Sequence, residues 1–127
     1  MELRVQQARA IVHEINTVLP QKLNLMNKDG IIIASTDPER IHTFHGGAAR
    51  VIRENLDELR IYRENEYPGT RPGTNFMLQV EGVPIGVLGI TGSYESILPI
   101  ANVIRKMTEL LVHEQAYQRM QTHLQYQ

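Results

Sequence analysis

The chain contains no cysteine, which removes disulfides, thiol nucleophiles and cysteine-based zinc sites in one step and is compatible with a reducing compartment. It also lacks an excess of either charge: 13 Lys and Arg against 14 Asp and Glu give a formal net charge of -1. No basic field attracts phosphates and no Lys/Arg cluster makes a nucleic-acid footprint, so any service to DNA is expected to run through another domain. Long apolar runs are missing as well. Stretches such as Ile31 to Ala34 and Ile85 to Ile90 fall far short of the roughly 20 residues that span a bilayer. The start, Met1-Glu2-Leu3-Arg4, has no basic segment followed by an apolar signal core. A cytoplasmic chain without membrane contact is the expectation.

What is present suits one ordinary domain: 127 residues, 42% of them hydrophobic and 21% charged, enough to build a single core. Ala8, Ile11, Val12, Ile15, Val18 and Leu19 recur at helical spacing until Pro20, so residues 1–19 are expected to form a first helix. Two short β-type runs, Lys22 to Met26 and Ile31 to Ser35, flank Asn27-Lys28-Asp29-Gly30 and predict a hairpin. Asp37-Pro38-Glu39 is a helix-start signature, and the pattern predicts a second helix from there to about Asn55, with Gly46-Gly47 weakening its middle. Leu59 to Tyr62 suggests a short strand, and Tyr67 to Thr74 a loop. Phe76, Leu78 and Val80, the Glu81-Gly82 turn and Pro84 to Ile90 make a second hairpin. From Ser93 or Tyr94 onward, Ile97, Ile100, Ile104, Met107, Leu110 and Leu111, and then Tyr117, Met120 and Leu124, continue a helical stripe.

That final segment is too long for a small sheet: about 30 helical residues span roughly 45 Å. The expected organisation is therefore a single ligand-sensing domain over residues 1–127. Residues 1–19 are its first helix, 22–92 a sheet with an inserted helix and binding loops, and 94–127 a long output or dimerisation helix. The fold class expected from this order is α+β, a PAS- or Cache-like antiparallel sheet with helices packed on one face and a long C-terminal helix.

Two stretches could carry ligand chemistry. In Gly69-Thr70-Arg71-Pro72-Gly73-Thr74-Asn75, glycines let backbone N–H groups approach a ligand, Arg71 offers a planar fork for a carboxylate and Asn75 an amide for a hydroxyl. The same residues also suit a plain surface connection. Ser35-Thr36-Asp37-Pro38-Glu39-Arg40, between a strand end and a helix start, could present N–H donors and the Arg40 guanidinium to an anion. Capping alone would explain Asp37, and an arginine there is more often solvated.

Gly86, Gly89 and Gly92 recur every third residue but lie on a strand and its end, so they form neither a dinucleotide fingerprint nor a P-loop. A strand glycine marks a bulge or a close neighbour, here either a small molecule on the sheet or a tightly packed helix. His42 and His45, placed at i and i+3 on the expected second helix, lack a third ligand, so no metal is expected; His45 suits a hydrogen-bond donor to a ligand. Ser35, Ser93 and Ser96 lack a nucleophile-elbow setting. No catalytic residue and no cofactor are expected.

Several motifs together resemble those of a known family, the sugar-diacid-recognition domain at the N-terminus of carbohydrate diacid regulators, which are bacterial transcription factors. They are Asn24-Leu25-Met26-Asn27 leading to Gly30, Asp37 to Ile41 followed by His45-Gly46-Gly47-Ala48, Arg71 to Asn75, and Ile85 to Gly92. The resemblance covers nearly the whole chain. It implies a ligand such as glucarate, galactarate or glycerate, and a helix-turn-helix domain elsewhere that answers on DNA. Matching positions carry over Arg40, His45, Arg71, Gly73, Asn75, Thr91 and Gly92, which with Ser35 make the expected ligand-binding set. Thr36 and His42 stand where the family pattern has glycine, which adds bulk beside the proposed anion site. No helix-turn-helix pattern lies within these residues, as expected of an excised sensor or a stand-alone relative.

The sequence thus favours an acid-sensing domain of a regulator, expected to be a homodimer because both terminal helices have apolar faces. A PAS-like dimerisation or scaffold module without a small ligand is the alternative. A small enzyme acting on organic acids, with His45 near two arginines, is the third.

Overall fold

The computed structural model describes residues 2–125. Its elements follow in the order α1 (Val5–Asn16), β1 (Leu23–Met26), β2 (Ile32–Ser35), a single 3-10 turn (Pro38–Arg40), α2 (Gly46–Arg53), β3 (Glu58–Ile61), β4 (Gly73–Val80), β5 (Val83–Ile90) and α3 (Tyr94–Gln125). Residues 126 and 127 of the expected last helix, and the side chain of Leu124, lie outside the described residues. The five strands form one antiparallel sheet in the order β2-β1-β5-β4-β3. The α+β class and the long C-terminal helix are as expected.

Helices do not keep to one face. Phe76, Leu78 and Leu88 point into a core shared with Ile11 and Val12 of α1 and with Ile97, Ala101 and Ile104 of α3. Met26, Met77 and Val87, one residue out of phase, point the other way and pack against Ala48 and Val51 of α2. Alternation along a strand sends neighbours to opposite faces, and both sets are fully buried. Each such side chain contributes about 1.5–3 kcal/mol on burial, so a one-sided arrangement would have left the methionine face in water.

The second helix is also shorter than predicted. Asp37 caps a 3-10 turn by accepting from Glu39 N–H at 3.3 Å, and that turn ends at Arg40. His42 then takes a positive φ of 76°. The chain runs beside β2, with Ile32 N–H donating to Thr43 O at 2.9 Å and His45 N–H to Gly30 O at 2.7 Å. Only at Gly46 does α2 begin, with the His45 imidazole as its N-cap: Nδ1 accepts from Ala48 N–H at 2.9 Å. Gly46-Gly47 opens this helix rather than interrupting it. His42 and His45 therefore share no helical turn, and among the described residues no three His, Asp or Glu side chains gather to hold a metal.

Polar contacts tie α3 to the β3 edge. Tyr94 Oη donates to Glu58 at 2.7 Å, Arg60 lies 3.4 Å from the Tyr94 ring centroid, and Arg105 pairs with Asp57 at 2.6 Å while donating to Met77 O at 2.8 Å. No helix among the described residues is long and apolar enough to cross a membrane.

Candidate functional site

At the end of the sheet where β1, β4 and β5 carry Asn24, Asn75 and Gly89, a cleft of about 390 Å³ opens. Its mouth is walled by Lys22, Ser35, Asp37, Arg40, Arg71 and Thr91. A narrower floor of about 20 Å³ adjoins it, lined by Arg40 and Arg71 as well as by His45, Gly73, Asn75 and Gly89. Of the expected set, Ser35, Arg40, His45, Arg71, Gly73, Asn75 and Thr91 thus converge, although they come from five separate parts of the chain.

Gly92 lines neither part. It takes a positive φ of 128°, and a Cβ there would sit 2.7 Å from Ile97 Cγ2. Its role is to turn the chain from β5 into α3.

Arg40 is the hinge of the arrangement. Its Nη2 donates to Gly69 O at 2.7 Å, fastening the 62–72 loop. In the amide orientation that satisfies both ends of Asn24, the amide oxygen accepts from Arg40 Nη1 at 3.0 Å and the nitrogen donates to Ser35 Oγ at 2.5 Å. Ser35 Oγ in turn accepts from Asp37 N–H at 2.9 Å. The loop is held from its other side by Gly46 N–H, which donates to Pro68 O at 2.7 Å. Arg71 reaches Asp37 at 3.4 Å, a half-exposed pair of the kind that contributes little.

Electrostatics favour an anion. Burial and then the neighbouring Arg71 guanidinium hold Arg40 below the ordinary arginine value, with Asp37 and Glu64 acting in the opposite sense. Two like charges facing one cleft gain from an anion placed between them. Burial, and next the charge of Arg40, push His45 down to about 4. Its imidazole is neutral at pH 7, and with Nδ1 accepting from Ala48 the proton sits on Nε2, which makes it a donor.

Sequence reasoning did not select Asn24, Lys22 or Gly89 for the site. Gly89 had two open explanations, and the structure answers that it faces the floor, whereas Gly86 packs near Leu3 and the Met26 carbonyl. Asn24 and Lys22 enter only through the register of β1 against β5 and the pairing of Lys22 with Thr91.

The family described as "Putative sugar diacid recognition" matches residues 3–127. The chain belongs to this sugar-diacid-recognition family. It is 33% identical over 116 residues to the protein YsfB of Bacillus subtilis, covering 90% of this chain and 31% of that one. It is 28% identical over 113 residues to the carbohydrate diacid regulator of Escherichia coli, covering 88% and 29% respectively. The chain spans about a third of the length of these curated relatives. A solved structure, the type II free methionine-R-sulfoxide reductase of Thermoplasma acidophilum, matches with a TM-score of 0.55 at 19% identity, covering 87% of this chain and 92% of that one. At that identity the sugar-diacid-recognition chain shares a fold with the reductase, and the likeness carries no activity across.

Proposed function

We propose that this chain is the sensor domain of a bacterial transcriptional regulator and binds a small hydroxy acid or sugar diacid of the glucarate, galactarate or glycerate type. The observation that carries this is the convergence of Arg40 and Arg71 on one cleft whose floor holds a neutral histidine and a buried amide. A carboxylate matches the guanidinium forks, and hydroxyl groups match the imidazole and amides of the floor. The volume, about 390 Å³, lies near the lower end of small-molecule sites, which suits an acid of a few carbons. Family membership and the Escherichia coli relative support the same ligand class.

The domain is a binder and not a catalyst. His45 Nδ1 already accepts from Ala48, so its remaining nitrogen carries a proton and offers no lone pair to act as a base. In the cell the protein works in the cytoplasm, contacting DNA only through a separate helix-turn-helix domain, with α3 passing the signal on. It works as a homodimer through α1 and α3. Val103, Met107, Leu110 and Tyr117 are more than half exposed along one side of α3, at spacings that continue a heptad seam.

Thermal unfolding against glycerate, tartrate, glucarate, galactarate and neutral sugars of matching size tests the proposal. A site filled to about 100 times its dissociation constant adds about 2.7 kcal/mol, several degrees or more in the midpoint for a domain of this size. A shift with an acid and none with its neutral analogue is expected. No shift with any acid would leave the scaffold reading in its place.

A further inference from the structure

The floor of the cleft is a small polar chamber assembled by strand register. Asn24 on β1 stands opposite Gly89 on β5, and Gly89 stands opposite Asn75 on β4, so the three share one row on one face of the sheet. A Cβ on Gly89 would lie 2.8 Å from Asn75 Oδ1 and 3.8 Å from Asn24 Cβ. The missing side chain is what keeps a gap between the two amides. Asn75 is 3% exposed, and its Oδ1 is buried without a hydrogen-bond partner. A folded protein rarely keeps such an atom unless something else is meant to pair with it. His45, also 3% exposed, lines the same space. The chamber measures about 20 Å³, little more than the roughly 10–15 Å³ that one water-sized group requires.

We infer that Asn75 and Gly89 form a hydroxyl-selective subsite, which reads a hydroxyl next to the carboxylate anchored by Arg40 and Arg71. The inference rests on the acid-binding reading above and adds which atoms discriminate among acids. A hydroxyl is the small group that both donates and accepts: its proton goes to Asn75 Oδ1 and its oxygen accepts from His45 Nε2. A carboxylate is too large for the chamber and can only accept, so it would set its lone pairs against Asn75 Oδ1. A methylene fits but leaves both polar atoms unpaired. Chain length and any second carboxylate belong to the wide mouth, where Lys22 adds a third cation. Selectivity is therefore set by the hydroxyl and only weakly by the far end.

Calorimetric titration of the full chain with pairs of acids equal in length and charge tests this: glycerate against propionate, tartrate against succinate, glucarate against adipate. The wild-type chain is expected to prefer the hydroxylated member of a pair by on the order of 10- to 100-fold. Asn75→Leu, similar in shape but unable to hydrogen-bond, should bring the ratio to within about threefold, chiefly by weakening the hydroxylated acid. Gly89→Ala fills the chamber with a methyl that presses on Asn75 Oδ1 while keeping the amide in the chain, and should lose the same preference; it decides the matter if Asn75→Leu fails to fold. Equal wild-type affinities within each pair overturn the subsite and leave acid binding standing. A preference that survives in both variants places selectivity elsewhere and also overturns it. If none of the six acids binds, the acid-binding reading falls, and the subsite with it.

Discussion

Two of the hollows among the described residues are of equal volume and opposite chemistry. The cleft by Arg40 and Arg71 and the groove between α1 and α3 each measure about 390 Å³. Ala10, Ile11 and Ile15 of α1 wall the groove together with Met107, Leu110 and Leu111 of α3. The cleft is walled by three cations, the Asp37 and Glu64 carboxylates, hydroxyls and an amide, with Asn24, Ser35 and Arg40 fixed by hydrogen bonds. An apolar wall asks only for apolar surface, which any complementary helix supplies. A polar wall imposes positions on its ligand, because every buried donor or acceptor left unmatched is a penalty. Size does not separate the two hollows; the demands of their walls do.

The widest test of that contrast removes the charges from one side. Arg40→Ala combined with Arg71→Ala should weaken acid binding by more than about 100-fold, since each guanidinium hydrogen bond to a charged group is worth roughly 1.5–3 kcal/mol. Calorimetry would show it, and unchanged affinity would erase the distinction between the hollows.

The next test is pH. His45 is buried and neutral with a value of about 4, against 6.5 for the unperturbed group, so between those limits the unfolded chain binds more protons than the folded one. Its contribution is complete above the unfolded value and is lost as pH falls through that window, about 3 kcal/mol in all. His45→Asn keeps a cap acceptor for Ala48 and should flatten the slope in denaturation curves taken between pH 4 and 7.

A smaller effect separates two glycines. Gly92→Ala forces a positive φ on alanine beside Ile97 and should cost about 1–3 kcal/mol of stability, yet leave acid affinity as it was. A matching loss of affinity would move Gly92 into the site. Smallest for the isolated fold is Leu110→Lys on the exposed groove wall. Its effect on stability should stay within about 0.5 kcal/mol, with acid binding untouched, while sedimentation reports a shift from dimer to monomer.

Both hairpins, the long helix and most of the cleft were legible in the sequence, because turn residues, alternation and helical spacing are local signals. The two-sided sheet was less so. Leu25-Met26, Phe76-Met77-Leu78 and Val87-Leu88 are unbroken apolar runs, the mark of strands covered on both faces, but such runs also occur in buried helices. The break at His42 was hidden because Asp37-Pro38 announces a helix start, and nothing local says that the start lasts a single turn. Asn24 and Gly89 join the site only through pairing between strands over 60 residues apart, a relation no local pattern carries. Gly92 was selected by its neighbourhood in the motif, whereas its φ and its contact with Ile97 explain it.

Gly89 and the first residue of α3, Tyr94, are separated only by Ile90 to Ser93. The strand that floors the cleft therefore runs into the helix with almost no slack between them. With 32 residues, Pro99 among them, that helix is about 48 Å long. Trigonometry then amplifies any motion at the base: a tilt of about 5° sweeps the far end through roughly 4 Å, comparable to the spacing between two β-strands.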